Sequence, residues 1–148
     1  VPIHSLRRLH VIVPPRGEFD PGLKHWCRRI ATLAEQTACR VSVYGEERTL
    51  RAVEGAWQAE RRSLSADFHK FTPAEGLAGV AARTRPDHMA VFVLARRGMP
   101  SYHRRLEDIP GQLERYFSAR SWMLIVPAAL GSSSSSADGR NALTLSDR

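Results

Sequence analysis

The chain has 148 residues and only two cysteines, Cys27 and Cys39. Neither belongs to a CxxC pair or has a histidine pair at ligand spacing, which excludes a zinc ribbon or a thioredoxin-type redox centre. Two buried thiols in a reducing compartment are expected instead, and no feature of the sequence demands a disulfide between them. Lysine is almost as scarce: all but Lys24 and Lys70 of the 22 basic residues are arginine. Aromatic residues make up 7% and do not interleave with the arginines, so the stacking platform of a single-strand nucleic-acid binder is missing. Long apolar runs are lacking too. The longest, Met89 to Ala95 and Trp122 to Leu130, fall far short of the ~20 residues that cross a bilayer. No apolar segment follows Arg7 and Arg8, so no leader is expected. The chain opens on Val, which suits a piece of a longer polypeptide.

The common signatures of chemistry are absent as well. No GxGxxG and no GxxxxGK(S/T) loop occurs, which removes the two most frequent phosphate loops. The six histidines, His4, His10, His25, His69, His88 and His103, show neither HExxH nor HxH spacing, so no metal site is expected. Ser101, His103 and Asp108 supply the residue types of a hydrolytic triad, but no GxSxG turn surrounds the serine. The sequence therefore predicts neither an enzyme nor a resident cofactor.

What is present is positive charge. Against 22 Lys+Arg stand 15 Asp+Glu, a net +7. In the tail Asp138, Arg140, Asp147 and Arg148 cancel, so the excess lies in residues 1–130. Arginines come as neighbours at 7/8, 28/29, 61/62, 96/97 and 104/105. Such a surface attracts phosphates. The pairs are scattered and lack aromatic partners, so two explanations stand, an arginine-rich codon bias and an anionic membrane surface as partner, and nucleic acid is not expected.

Hydrophobic patterning gives a single order of elements. Leu9 to Val13 is a short apolar run stopped by Pro14 and Pro15, hence a strand. Asp20 and Pro21 form a helix start, with Asp20 as cap and Pro21 at the first position. Leu23, Trp26, Cys27, Ile30, Leu33 and Ala34 follow on one helical stripe. A strand over 40–44 ends at Gly45, and Leu50, Val53 and Trp57 mark a second helix. Leu64, Ala66 and Phe68 alternate with polar residues as a third strand. Thr72-Pro73-Ala74-Glu75 is a capping box, with Leu77, Val80 and Ala81 behind it. Met89 to Ala95, apolar on both faces, reads as the central strand. Leu106, Ile109, Leu113, Tyr116 and Phe117 mark a fourth helical region, interrupted or started afresh at Pro110, and Trp122 to Val126 forms the last strand. This alternation predicts a three-layer α/β domain over 1–130, a five-stranded parallel sheet with helices on both faces. Residues 131–148, with serines from Ser132 to Ser136, are expected to be a disordered tail.

In such sheets ligands gather at the carboxyl ends of the strands. Those loops are Pro14 to Asp20, Gly45 to Arg48 and Arg96 to Arg105. The third combines Arg96 and Arg97, the turn residue Gly98, and the donors Ser101, Tyr102 and His103. Guanidinium groups, hydroxyls and backbone amides together suit a phosphate, so these six residues are the candidate ligand-binding set.

That loop, Arg96-Arg97-Gly98-Met99-Pro100-Ser101-Tyr102-His103, precedes Leu106, Ile109-Pro110, Leu113, Tyr116-Phe117 and a strand ending at Pro127. With Val13-Pro14-Pro15 and Glu18-Phe19-Asp20-Pro21-Gly22 near the start, it resembles the cytoplasmic C-terminal domain of bacterial monovalent cation:proton (sodium/hydrogen) antiporters. The likeness covers residues 3–128 in order of elements and rests mostly on 95–127. It implies a universal-stress-protein-like fold with sheet order 3-2-1-4-5. It also implies a non-enzymatic regulatory or assembly module on the cytoplasmic side of the cell membrane, joined to the transmembrane portion of the same polypeptide. An adenine nucleotide and a second copy of the domain are further expected partners, and a free-standing universal stress protein that binds an adenine nucleotide is the alternative. ATP-binding members of that fold carry a first-strand Asp and a Gly-x-x-Gly run after the fourth strand. Here Pro14-Pro15 stands at the first place and only Gly98 at the second, so a nucleoside monophosphate is expected ahead of ATP.

Overall fold

A computed structural model of the chain describes residues 6–60, 66–70 and 76–127. Five strands alternate with four α-helices: β1 (Arg8–Ile12), α1 (Leu23–Thr37), β2 (Arg40–Gly45), α2 (Glu47–Ala59), β3 (Ala66–Lys70), α3 (Gly76–Arg83), β4 (His88–Val93), α4 (Ile109–Tyr116) and β5 (Ser121–Ile125). All pairings are parallel, and the sheet order is β3-β2-β1-β4-β5. The fold is a three-layer α/β sandwich. The tail 131–148, the capping box at 72–75 and Leu64 lie outside the described residues.

Strand periodicity assigns each inner residue to a layer. Leu9 and Val11 of β1, Val41 and Val43 of β2, Met89, Val91 and Val93 of β4, and Met123 and Ile125 of β5 point one way. They meet Leu23, Trp26, Cys27, Ile30 and Ala34 of α1 and Leu50, Val53 and Trp57 of α2. The alternate positions Ile12, Tyr44, Ala90 and Phe92 face the other way, onto Leu77, Val80 and Ala81 of α3 and Leu113 of α4, with Phe117 just beyond it. Both faces of β1, β2 and β4 are therefore buried; β4 accordingly reads as an unbroken apolar run from Met89, whereas β1 and β2 place the polar His10 and Ser42 in the sheet. Both cysteines are buried and free. Burial, and next the nearby Glu60, pushes the Cys27 thiol up to about 12, so it packs as a hydrophobe rather than reacting.

Two expectations need correction. The run 89–95 is not the central strand: β1 occupies the middle of the five, and β4 lies between β1 and β5. An inner strand with helices over both faces is as apolar as a central one, so composition does not separate the two. Nor does Asp20 cap α1. The helix begins two residues later, with Gly22 at the cap position and no side-chain capping bond, because the Asp20 carboxylate is engaged by Ser101, far away in sequence.

On the second face a polar chain crosses the sheet. The buried His10 lies 3.0 Å through Nδ1 from the Tyr44 hydroxyl and 2.9 Å through Nε2 from Nδ1 of His88. The Tyr44 ring stacks on His69 of the edge strand β3 with centroids 5.2 Å apart. Pairing of this kind is what permits a histidine to stand inside a sheet.

Candidate functional site

The strand order turns back at β1: the chain runs outward through β2 and β3, then returns to add β4 and β5 on the other side. Loops leaving β1 and β4 part company there and leave a crevice beyond the carboxyl ends. A cavity of about 350 Å³ occupies it. All three carboxyl ends contribute: Pro14, Pro15 and Arg16 after β1, Gly45 at the end of β2 with Glu46 beyond it, and Pro100 to His103 with Arg105 after β4. Its floor is apolar, made by Ile12 and Phe92 of the sheet and Leu94 just past β4, with Leu77, Leu106 and Ile109 at the side. The amino termini of α2 and α4 open toward this end of the sheet, as helices antiparallel to the strands must, and their dipoles favour an anion.

Local sequence explains the rim. Pro14 and Pro15 end β1, and the Pro14 carbonyl accepts from the amide of Gly17 at 3.2 Å. A Cβ on Gly17 would lie 3.1 Å from Cγ1 of Val13, so glycine lets the loop fold tightly against the strand. Arg16 in that turn is held at φ 67°, in the left-handed region, a conformation that costs a non-glycine residue about 1 kcal/mol or more. Its guanidinium lies 5.9 Å from the ring centroid of Phe19, which is 60% exposed. Across the cavity, Ser101 is buried, and its amide and hydroxyl both donate to the Asp20 carboxylate. That pair ties the loop after β4 to the loop after β1.

The six sequence-predicted residues divide. Ser101, Tyr102 and His103 line the cavity; Arg96, Arg97 and Gly98 do not. Arg96 turns toward the segment just past β5, its Nε donating to the Pro127 carbonyl at 3.2 Å. Arg97 reaches Glu107, with Nη2 at 2.6 Å, and the Tyr102 hydroxyl donates to the same carboxylate at 2.8 Å. Those two donors, Arg97 first, hold the Glu107 carboxyl below the usual range. Gly98 sits in the turn at φ 87°, where a side chain would be strained. Nδ1 of His103 accepts from the Arg105 amide at 3.1 Å. The hydroxyl of Ser101 is thus bonded to Asp20, while the His103 ring is bonded within its own loop.

Sequence reasoning missed Arg16, Glu46, Arg105 and Gln112, which the fold brings to the same cavity. No ion pair within the described residues engages Arg16, Arg105 or Glu46. Their only local signal was position just beyond a strand's carboxyl end, shared by many surface residues. Among the described residues no group of three or more His, Cys, Asp or Glu is placed to hold a metal ion, and no helix is long and apolar enough to cross a membrane. Comparison with protein-family models, with curated proteins and with solved structures gives no match to this chain.

Proposed function

We propose that the domain is a non-enzymatic, ligand-sensing regulatory or assembly module of a bacterial monovalent cation:proton antiporter, working on the cytoplasmic side of the membrane. Its cavity takes an anion with a flat apolar body, a nucleoside monophosphate first among them. The observation that carries the ligand reading is the apolar cavity at the switch point of the sheet, with Arg16 and Arg105 at its rim. A ring fits against Ile12, Phe92 and Leu94, while the two guanidinium groups supply charge-assisted bonds to a phosphate. The antiporter reading is supported by the resemblance of residues 95–127 and by a sheet order that agrees with it.

Titration calorimetry with AMP, ADP, ATP, adenosine and inorganic phosphate tests the ligand class. AMP is expected to bind more tightly than adenosine or phosphate alone, because it uses both the apolar floor and the arginines. Absence of heat with all five at millimolar concentration would remove the reading. The encoded polypeptide preceding Val1 tests the setting: membrane-spanning helices there support the antiporter, and their absence supports a free-standing nucleotide-binding stress protein with the same cavity.

A further inference from the structure

Arginines gather on the edge of the sheet opposite the cavity. Arg8 of β1 is the register partner of Arg40 in β2 on one side and of His88 in β4 on the other. Arg7 joins the same three strands: its amide donates to the Asp87 carbonyl at 2.8 Å, and its carbonyl accepts from the Arg40 amide at 3.0 Å. Arg85 closes the turn into β4, its carbonyl accepting from the His88 amide at 2.9 Å. Arg120 immediately precedes β5, whose Ser121 pairs with Met89. With strands about 4.8 Å apart, the row from β2 through β1 and β4 to β5 is about 14 Å long.

Among the described residues the carboxylates nearby are few. Asp67 lies 3.5 Å from Arg8, Asp87 lies 3.7 Å from His88, and Glu35 stands in the last turn of α1. Arg7, Arg40 and Arg85 are exposed and have no ion pair within the described residues. At the cavity end, by contrast, arginines are interspersed with Glu18, Asp20, Glu46, Glu47, Glu107 and Asp108. The carboxyl termini of α1, α3 and α4 all lead into strands on the arginine edge, and their negative dipole ends favour cations there.

We propose that this amino edge, Arg7, Arg40 and Arg85 flanked by Arg8 and Arg120, is a docking surface for an anionic lipid bilayer. The proposal rests on the reading of the domain as membrane-associated, and it turns the cavity away from the bilayer, open to small molecules. A lipid surface suits the row better than nucleic acid does. The row carries no aromatic side chain for base stacking, and it is shorter than the phosphate track that a nucleic-acid site follows. Clusters of four to eight basic residues are the sequence scale at which anionic leaflets attract protein, each residue adding about 1 kcal/mol, or about fivefold.

The test is binding of the full chain to vesicles of phosphatidylcholine with about one-third phosphatidylglycerol, at about 0.1 M salt. One variant removes the edge charge (Arg7→Gln, Arg40→Gln, Arg85→Gln). A second removes equal charge elsewhere (Arg29→Gln, Arg48→Gln, Arg104→Gln). The edge variant is expected to lose about a hundredfold in partitioning and the control less than about tenfold. Single Arg40→Gln and Arg85→Gln variants, each about fivefold weaker, replace the triple if it fails to fold. Equal losses in both triples would overturn the proposal, as would equal binding to vesicles without phosphatidylglycerol. Tighter binding to duplex DNA than to the vesicles at the same salt would also overturn it. Nucleotide titration is a separate readout: failure there leaves the docking edge standing, and failure of vesicle binding leaves the cavity reading standing.

Discussion

Asp20 and Ser101 are 81 residues apart in the chain, yet one carboxylate receives both the amide of Ser101, at 3.0 Å, and its hydroxyl. Ser101 is 2% exposed, so within the described residues both donors are left without an acceptor if the carboxylate goes. An orphaned buried polar group costs about 1–3 kcal/mol. Asp20→Ala is therefore expected to lower stability by about that amount in chemical denaturation, and Asp20→Asn, which keeps one acceptor, to restore part of it. Because the bond joins two loops of the cavity rim, Asp20→Ala should also weaken AMP binding. An Asp20→Ala protein as stable as the parent would show that the two loops are held by other contacts.

Phe92 carries the packing on the α3/α4 side of the sheet. It is 2% exposed, and its ring meets Phe117 edge-on with centroids 5.3 Å apart. Phe92→Ala is expected to cost about 3–5 kcal/mol, the sum of lost transfer energy and the hole left behind. Urea denaturation measures it. A cost below about 1 kcal/mol would mean that the layer collapses around the gap.

Much of this was legible in the sequence, and the failures share a cause. β4 announced itself because helices cover both its faces, β1 and β5 as short apolar runs stopped by proline, β2 by its alternation, and the stripe of α1 because its outer face is charged. Asp20 read as a cap because its partner lies in another loop, and nothing near residue 20 points to Ser101. Arg96 and Arg97 read as phosphate ligands for the same reason. Their engagement by Pro127 and Glu107 depends on how the loop after β4 folds back. Position beyond a strand's carboxyl end named three loops that all line the cavity, without saying which side chains turn inward.

His10 makes stability depend on acidity. Burial first, then the positive fields of His88, Arg8, His69 and Arg83, lower its pKa from 6.5 to about 4, and burial lowers that of His88 as well. Two imidazoles 2.9 Å apart share one proton between their facing nitrogens, so a second proton sets like charges and two donors against each other. The unfolded chain takes up the proton first as pH falls. Stability is thus fully present above about pH 6.5, declines from there to about pH 4, and below that this contribution is gone. The loss attributable to His10 is about 3 kcal/mol at most. His10→Gln, which cannot titrate, should flatten the melting temperature over that window. An unchanged acid slope in the variant would assign the dependence to other groups.

The central claim is that the cavity between the three carboxyl-end loops binds an anion through Arg16 and Arg105, and AMP titration of the parent chain beside an Arg16→Gln/Arg105→Gln variant tests it most directly. Each charge-assisted contact is worth about 1.5–3 kcal/mol, so affinity should fall about tenfold or more per arginine. Both side chains are exposed, so the melting temperature without ligand should stay close to the parent's. Saturable heat in the parent that vanishes in the variant is the result expected. No heat in the parent, or AMP affinity that survives the loss of both arginines, would contradict the account.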